Sequence, residues 1–150
     1  MRKPEGRSRR NRVVVSVHII WTTWRRQPML TVERERRAFR CITAEAEKLG
    51  ATVLAINGMP DHVHVVVLLP ATLCLSKLLN QAKGSSSRLL NSETSEQGHF
   101  RWADGFAAFS MSRNHRDAAV TYVQKQKQHH RDLALRRGWE TVPEDETQQT

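Results

Sequence analysis

The stretch ATVLAINGMPDHVHVVVLLP, Ala51 to Pro70, decides how this chain is built. Ala51 to Ile56 and His62 to Leu69 are short runs rich in β-branched residues. Between them lies NGMPD, in which Asn57, Gly58 and Pro60 are turn formers. The pattern predicts two strands closed into an antiparallel hairpin, ended by Pro70. Alternation along the second strand puts His62 and His64 on one face, about 7 Å apart along the chain, with Val63 on the other.

Upstream, VVVSVHIIWTTW (Val13 to Trp24) reads as a first, centrally placed strand that breaks at Arg25, Arg26 and Pro28. Thr31 can cap a helix carrying Glu33 and Glu35 in its first turn. Phe39, Ile42, Ala46 and Leu49 recur at helical spacing until Gly50. Downstream, Thr72 opens a second helix with Leu73, Leu75, Leu78, Leu79 and Ala82 on its apolar side, weakened near Gly84 and Ser85 to Ser87. Asn91 to Gly98 reads as a loop, and Gly105 turns the chain into a short strand, Phe106 to Met111. A last helix runs from about Asn114 or Arg116 to Leu135.

The order β-α-β-β-α-β with an appended C-terminal helix predicts an α+β fold, the ferredoxin-like (RRM-like) antiparallel sheet. Residues 1–12 read as a disordered basic arm, 13–137 as one domain and 138–150 as an acidic disordered tail.

The 150 residues, 39% hydrophobic, suffice for one core and not for two ordinary domains. A formal charge of +9, from 24 Lys and Arg against 15 acidic residues, favours polyanionic partners, nucleic acid ahead of an anionic membrane surface. Every apolar run is far shorter than the roughly 20 residues that span a bilayer. The basic N-terminus lacks the apolar core and cleavage site of a signal peptide, so no membrane association and a cytoplasmic location are expected. Cys41 and Cys74 lack metal-like spacing and read as reduced, buried thiols without function.

Two imidazoles side by side suit a divalent metal, although an isolated HxH is more often a pair of structural histidines. Two histidines leave most of a coordination sphere unfilled, so a further ligand must come from elsewhere. Tyr122 and Gln126 lie four apart on the last helix, which would set a phenol beside an amide oxygen; the competing reading is a tyrosine packed at a core edge. Asp61 could orient His62 from outside the metal's ligand set or merely end the turn, and His18 on the first strand could act in the same outer position, although a lone strand histidine is more often structural. Arg25, Arg26, Lys83, Arg88, Arg113, Arg116, Lys125, Lys127, Arg131, His129 and His130 could meet phosphate. Trp102 or Phe100 could stack on an unpaired base.

Several of these segments together resemble the HUH single-tyrosine transposases of small bacterial insertion sequences, the IS200-like and REP-associated tyrosine transposases. HIIWTT (His18 to Thr23) with Arg26 and Pro28 is similar to the family's opening strand, and GMPDHVHVVV (Gly58 to Val67) to its HUH strand. FRWADGFAAFSMS (Phe100 to Ser112) resembles its aromatic-glycine loop, and YVQKQKQHH (Tyr122 to His130) its nucleophile helix. The likeness runs in order from about Val13 to Arg131. It departs at Phe106, where many relatives have tyrosine, and in the short acidic tail. Tyr122 is the chain's one tyrosine, so no other phenol competes for the role.

The resemblance implies Tyr122 as nucleophile, His62, His64 and Gln126 as ligands of Mg²⁺ or Mn²⁺, and a 5′-phosphotyrosine intermediate. It also implies hairpin-bearing single-stranded DNA as substrate and a homodimer whose active sites are completed in trans. Two other readings stand beside it: a nucleic-acid-binding module that has lost its chemistry, and a two-histidine metal-dependent nuclease without a covalent intermediate.

Overall fold

The computed structural model describes residues 11–92, 98–132, 137–140 and 142. All but the last two residues of the expected basic arm, and most of the expected acidic tail, lie outside them. The elements are β1 (Val15–Thr22), α1 (Val32–Lys48), β2 (Thr52–Met59), β3 (His62–Leu69), α2 (Leu75–Asn91), β4 (Ala107–Met111), α3 (Arg113–Gln124), α4 (Gln126–Asp132) and α5 (Arg137–Glu140). The strands form one antiparallel sheet in the order β2-β3-β1-β4. The α+β sheet expected from the sequence is present.

The two-residue period of the strands divides the molecule. Val17, Ile19 and Trp21 of β1 and Val63, Val65 and Val67 of β3 share a core with Ala38, Ile42 and Ala46 of α1 and Leu78, Leu79 and Ala82 of α2. The residues between them, His62, His64 and Val66 on β3 and His18 and Ile20 on β1, turn to the other face. There Val66 packs with Ala55, Ala119, Val123 and Trp139 under α3 and α5. Because β1 and β3 are central, that second face is also closed to water: His18 and His64 are fully buried.

The hairpin is tighter than the turn residues suggested. Asn57, Gly58 and Met59 stay in the ladder, opposite His64, Val63 and His62, and only Pro60 and Asp61 lie between the strands. A carbon on Gly58 would lie 2.2 Å from the carbonyl oxygen of His62, so close approach of backbone requires this glycine. After β1 the chain makes a short 3-10 turn, Trp24–Arg26, in which Arg25 and Arg26 adopt φ of 51° and 52°. This left-handed conformation is unfavourable for residues with a side chain. It lets the chain cross the hairpin tip, where Thr23 N–H donates to the Asp61 carbonyl and Leu30 N–H to that of Pro60, each at 2.9 Å.

Thr31 caps α1 as expected, accepting from Arg34 N–H, and Gly50 follows its end at φ +88°. α2 differs: it starts at Leu75 and continues through Gly84 and the serines to Asn91. Ser86 returns its hydroxyl to the Ala82 carbonyl at 2.6 Å and accepts the Trp102 indole N–H at 2.9 Å. Packing of Leu78, Leu79, Ala82 and Leu90 on the sheet outweighs the weak helix propensity of that stretch. Cys74 is exposed and Cys41 half-buried, so the expectation of two buried thiols fails; both are free.

The expected last helix is broken. Lys125 caps α3 at φ −97°, ψ 18°, and α4 begins at Gln126. The expected domain boundary after residue 137 falls inside α5, whose Trp139 and Glu140 are folded against the sheet.

Candidate active site

His62 and His64 open β3 on the face covered by α3, α4 and α5. Their ring centroids are 5.1 Å apart. Each imidazole is gripped at Nδ1 by a neighbour. Asp61 Oδ1 lies 2.6 Å from His62 Nδ1, and Asp61 is itself held by Arg26, whose Nε is 3.3 Å from Oδ2. His18 Nε2 lies 2.9 Å from His64 Nδ1, the two rings stacked across β1 and β3. Both Nε2 atoms are thereby turned towards the space beneath α4 and α5.

Tyr122 and Gln126 enter that space from opposite sides of the break at Lys125, and Glu140 enters it from α5. The Tyr122 hydroxyl donates to Glu140 Oε1 at 2.5 Å and Gln126 Nε2 donates to the same oxygen at 2.7 Å. Glu140 Oε2 lies 3.0 Å from His64 Nε2, 3.4 Å from His62 Nε2 and 3.7 Å from His130 Nε2. One carboxylate is thus the meeting point of both histidines, the amide and the phenol. A single chain brings these side chains together.

Burial controls the electrostatics. Desolvation, reinforced by neighbouring His64, lowers the His18 pKa to about 3. Desolvation also lowers His64 and His130. At His62 burial works downward, but the carboxylates of Asp61 and Glu140 outweigh it and raise the pKa. Burial works upward on Glu140, yet the two imidazoles and the Tyr122 hydroxyl hold it well below the usual carboxylate range. Asp61 is likewise lowered, burial being outweighed by His62 and Arg26.

The donor set fits a divalent metal. His62 Nε2 and Gln126 Oε1 are buried and, among the described residues, have no hydrogen-bond partner. Such atoms cost about 1–3 kcal/mol each unless something else satisfies them. His62, His130 and Glu140 also present ligand atoms that all lie within 4.8 Å of one another. His62, His64, Tyr122 and Gln126 are buried, with Tyr122 4% and Gln126 0% exposed, and the Trp139 ring meets Tyr122 edge to face at 5.0 Å. Glu140 and Trp139 of α5 cover the Tyr122 phenol.

Two members of this group were not expected in it. His130, by sequence a solvated helix end that could meet phosphate, has its ring 5.0 Å from that of His62. His129 stacks on Tyr122 at 4.6 Å. Glu140 was counted with the acidic tail; the one signal in its favour was Trp139, an aromatic residue out of place in a disordered segment.

The remaining candidates separate by burial. Trp102 and Phe100 are 5% and 1% exposed, packed on Trp21 and on each other, so neither offers a ring to a base. Lys83 donates to the carbonyls of Ala103 and Gly105 at 2.7 and 2.9 Å and braces that loop. Arg88 is exposed, but on α2, across the sheet from the site. Lys127 bonds Glu35 and Asn57. Arg25, Arg113, Lys125 and Arg131 are exposed and Arg116 is half-buried, all on the segments that surround the site. Among the described residues no helix is long and apolar enough to cross a membrane.

A family profile described as "Transposase IS200 like" matches residues 11–126. No curated protein sequence matches the chain. Among solved structures, a candidate transposase from Deinococcus radiodurans R1 is similar at 22% identity with a TM-score of 0.61, over 84% of this chain and 98% of that one. A REP-associated tyrosine transposase bound to a REP hairpin is similar at 16% identity with a TM-score of 0.62, over 81% of this chain and 72% of that one. At these identities the two structures support the fold.

Proposed function

This chain belongs to the IS200-like transposase family, and from that premise we propose that it cleaves and rejoins single-stranded DNA at hairpin-flanked sites through a phosphotyrosine at Tyr122. The convergence of the Tyr122 hydroxyl, Gln126, His62 and His64 on a single point, occupied by the Glu140 carboxylate, carries this reading. His62 Nε2, His64 Nε2 and Gln126 Oε1 would hold Mg²⁺ or Mn²⁺. When bound, the ion polarises a non-bridging phosphate oxygen and makes phosphorus more electrophilic.

The chain's own groups supply the rest. A phenol with an ordinary pKa near 10 is a weak nucleophile, so its placement beside the phosphate must do much of the work. The Tyr122 oxygen gives up its hydroxyl proton and bonds to phosphorus as the bond to the 3′ oxygen breaks, and the departing 3′ oxygen takes up a proton, so no net proton is gained or lost. The 5′ side stays on the enzyme as a phosphodiester, so another 3′-hydroxyl can attack it, reseal a strand and free Tyr122 without an external energy source. Asp61 and His18 act as positioning residues, fixing the rings of His62 and His64 through Nδ1. Exposed Arg25, Arg113, Lys125 and Arg131 provide phosphate contacts. The hairpin seen with the REP-associated relative supports a hairpin as ligand here.

The test is incubation of the protein with end-labelled single-stranded hairpin DNA and Mn²⁺ or Mg²⁺, followed by denaturing electrophoresis. A labelled protein adduct that disappears in Tyr122→Phe is the expected result. Cleavage without an adduct would instead favour a hydrolytic nuclease, and binding without cleavage a module devoid of chemistry.

A further inference from the structure

The group around His62 and His64 contains an anion that the family's ligand pattern does not account for. Glu140 lies 14 positions beyond Gln126, the last residue of the family match. It is nevertheless the residue on which the whole site closes. We propose that Glu140 is a ligand of the divalent metal, the anionic donor that completes the set of His62, His64 and Gln126 in the DNA-free protein. The proposal rests on the reading of those three residues as metal ligands.

Three observations support it. The first is charge: two neutral imidazoles and an amide give a dication no negative partner, and Mg²⁺ and Mn²⁺ favour oxygen ligands, carboxylates above all. In a chain with a formal charge of +9, such a site needs its own anion.

The second is spacing. Two donors each about 2.1 Å from one ion lie about 3.0 Å apart at right angles and about 3.4 Å apart at the tetrahedral angle. Glu140 Oε2 is 3.0 Å from His64 Nε2, within hydrogen-bond distance, and 3.4 Å from His62 Nε2, and both separations are also those that co-ligands of one ion adopt. A carboxylate placed only to pair with an imidazolium would not need to approach two imidazole nitrogens and a third at 3.7 Å, on His130.

The third is anchoring. Glu140 is held from its other oxygen by Tyr122 and Gln126, and its neighbour Trp139 packs edge-on against both Tyr122 and His18. These contacts fix the carboxylate's direction, so its presence in the site is built into the packing of α5. A scissile phosphate arriving at Tyr122 would take the place of one anion with another, keeping the charge balance as α5 moves away.

The experiment is Mn²⁺ titration of the full chain without DNA, following the electron paramagnetic resonance signal of free Mn²⁺. Glu140→Gln, Glu140→Ala and Glu140→Asp are compared with wild type and with His62→Ala, with far-UV circular dichroism to establish that each variant is folded. The expected result is binding weakened by about tenfold or more in Glu140→Gln and Glu140→Ala, and partly restored in Glu140→Asp. Glu140→Gln preserves the size and hydrogen-bonding capacity of the side chain, so a loss there reports the charge and not the packing. Glu140 variants that bind Mn²⁺ as well as wild type, or more tightly, would overturn the proposal. If His62→Ala still abolished binding, the wider functional reading would survive that result. Wild-type protein that takes up no Mn²⁺, or a His62→Ala variant that binds it normally, would overturn both.

Discussion

Substituting Gly58 by alanine tests how the hairpin holds His62 in place. Gly58 sits opposite Val63 in the β2-β3 ladder. The added methyl would lie 2.2 Å from the His62 carbonyl oxygen, 3.0 Å from Val63 Cα and 3.2 Å from the His62 carbonyl carbon. To restore even a 3.0 Å contact the oxygen must retreat by about 0.8 Å (3.0 minus 2.2), and it belongs to backbone hydrogen-bonded on both sides. No flexible side chain can absorb the shift, so the cost belongs at the upper end of the overpacking range, about 3 kcal/mol. Against it stands the reduced freedom of the unfolded chain, which favours alanine by about 0.4–1 kcal/mol. The clash wins, and a net loss of about 2 kcal/mol remains. At a urea dependence of about 2 kcal/mol per molar, the unfolding midpoint falls by about 1 M. Because the displaced atom is part of His62, Mn²⁺ binding measured below the transition should weaken as well. A Gly58→Ala protein whose midpoint equals or exceeds that of wild type would refute the reasoning, since only the entropic gain would then be operating.

Two further outcomes are expected. Lys83→Met should lower stability by about 2 kcal/mol in urea melts, because it removes two charge-assisted bonds to the loop carbonyls of Ala103 and Gly105. It should leave the salt dependence of DNA binding unchanged; a slope reduced by about one counterion would show that Lys83 meets phosphate after all. The buried His18, with its pKa lowered to about 3, makes the metal-free protein sensitive to mild acid. Below pH 6.5 the unfolded chain takes a proton that folded His18 refuses, so stability present above pH 6.5 is lost as pH falls, by at most ~1.4 kcal/mol per pH unit. His62, whose pKa is raised, works in the opposite sense, so the comparison is between slopes. In EDTA, urea midpoints measured at pH 7 and 5 should differ less for His18→Phe than for wild type, and equal losses would dismiss the argument.

The sheet was readable because strand alternation and turn chemistry are local. The alternation of β3 assigned Val63, Val65 and Val67 to one side and the histidines to the other without knowledge of any neighbour. The limits of elements were less readable where packing overrode propensity, as in α2, carried through Gly84 and three serines by the apolar face it buries. The hairpin tip departs from its local pattern for a related reason: Gly58 reads as a turn former, but it is there because the backbone of His62 passes too close for a side chain.

The sequence by itself determined the order of elements, the shared face of His62 and His64, and the family to which Tyr122 and Gln126 belong. Helical spacing alone would have set those last two side by side; the break at Lys125 shows that they converge through the fold instead. Only the tertiary structure decided that Trp102 is core and Lys83 a brace, and that His18, His130 and Glu140 lie together with His62 and His64. The physical reason is distance along the chain. Strand and helix periods constrain neighbours a few residues apart, whereas Glu140 meets His64 from 76 positions away, brought there by packing that no local pattern encodes.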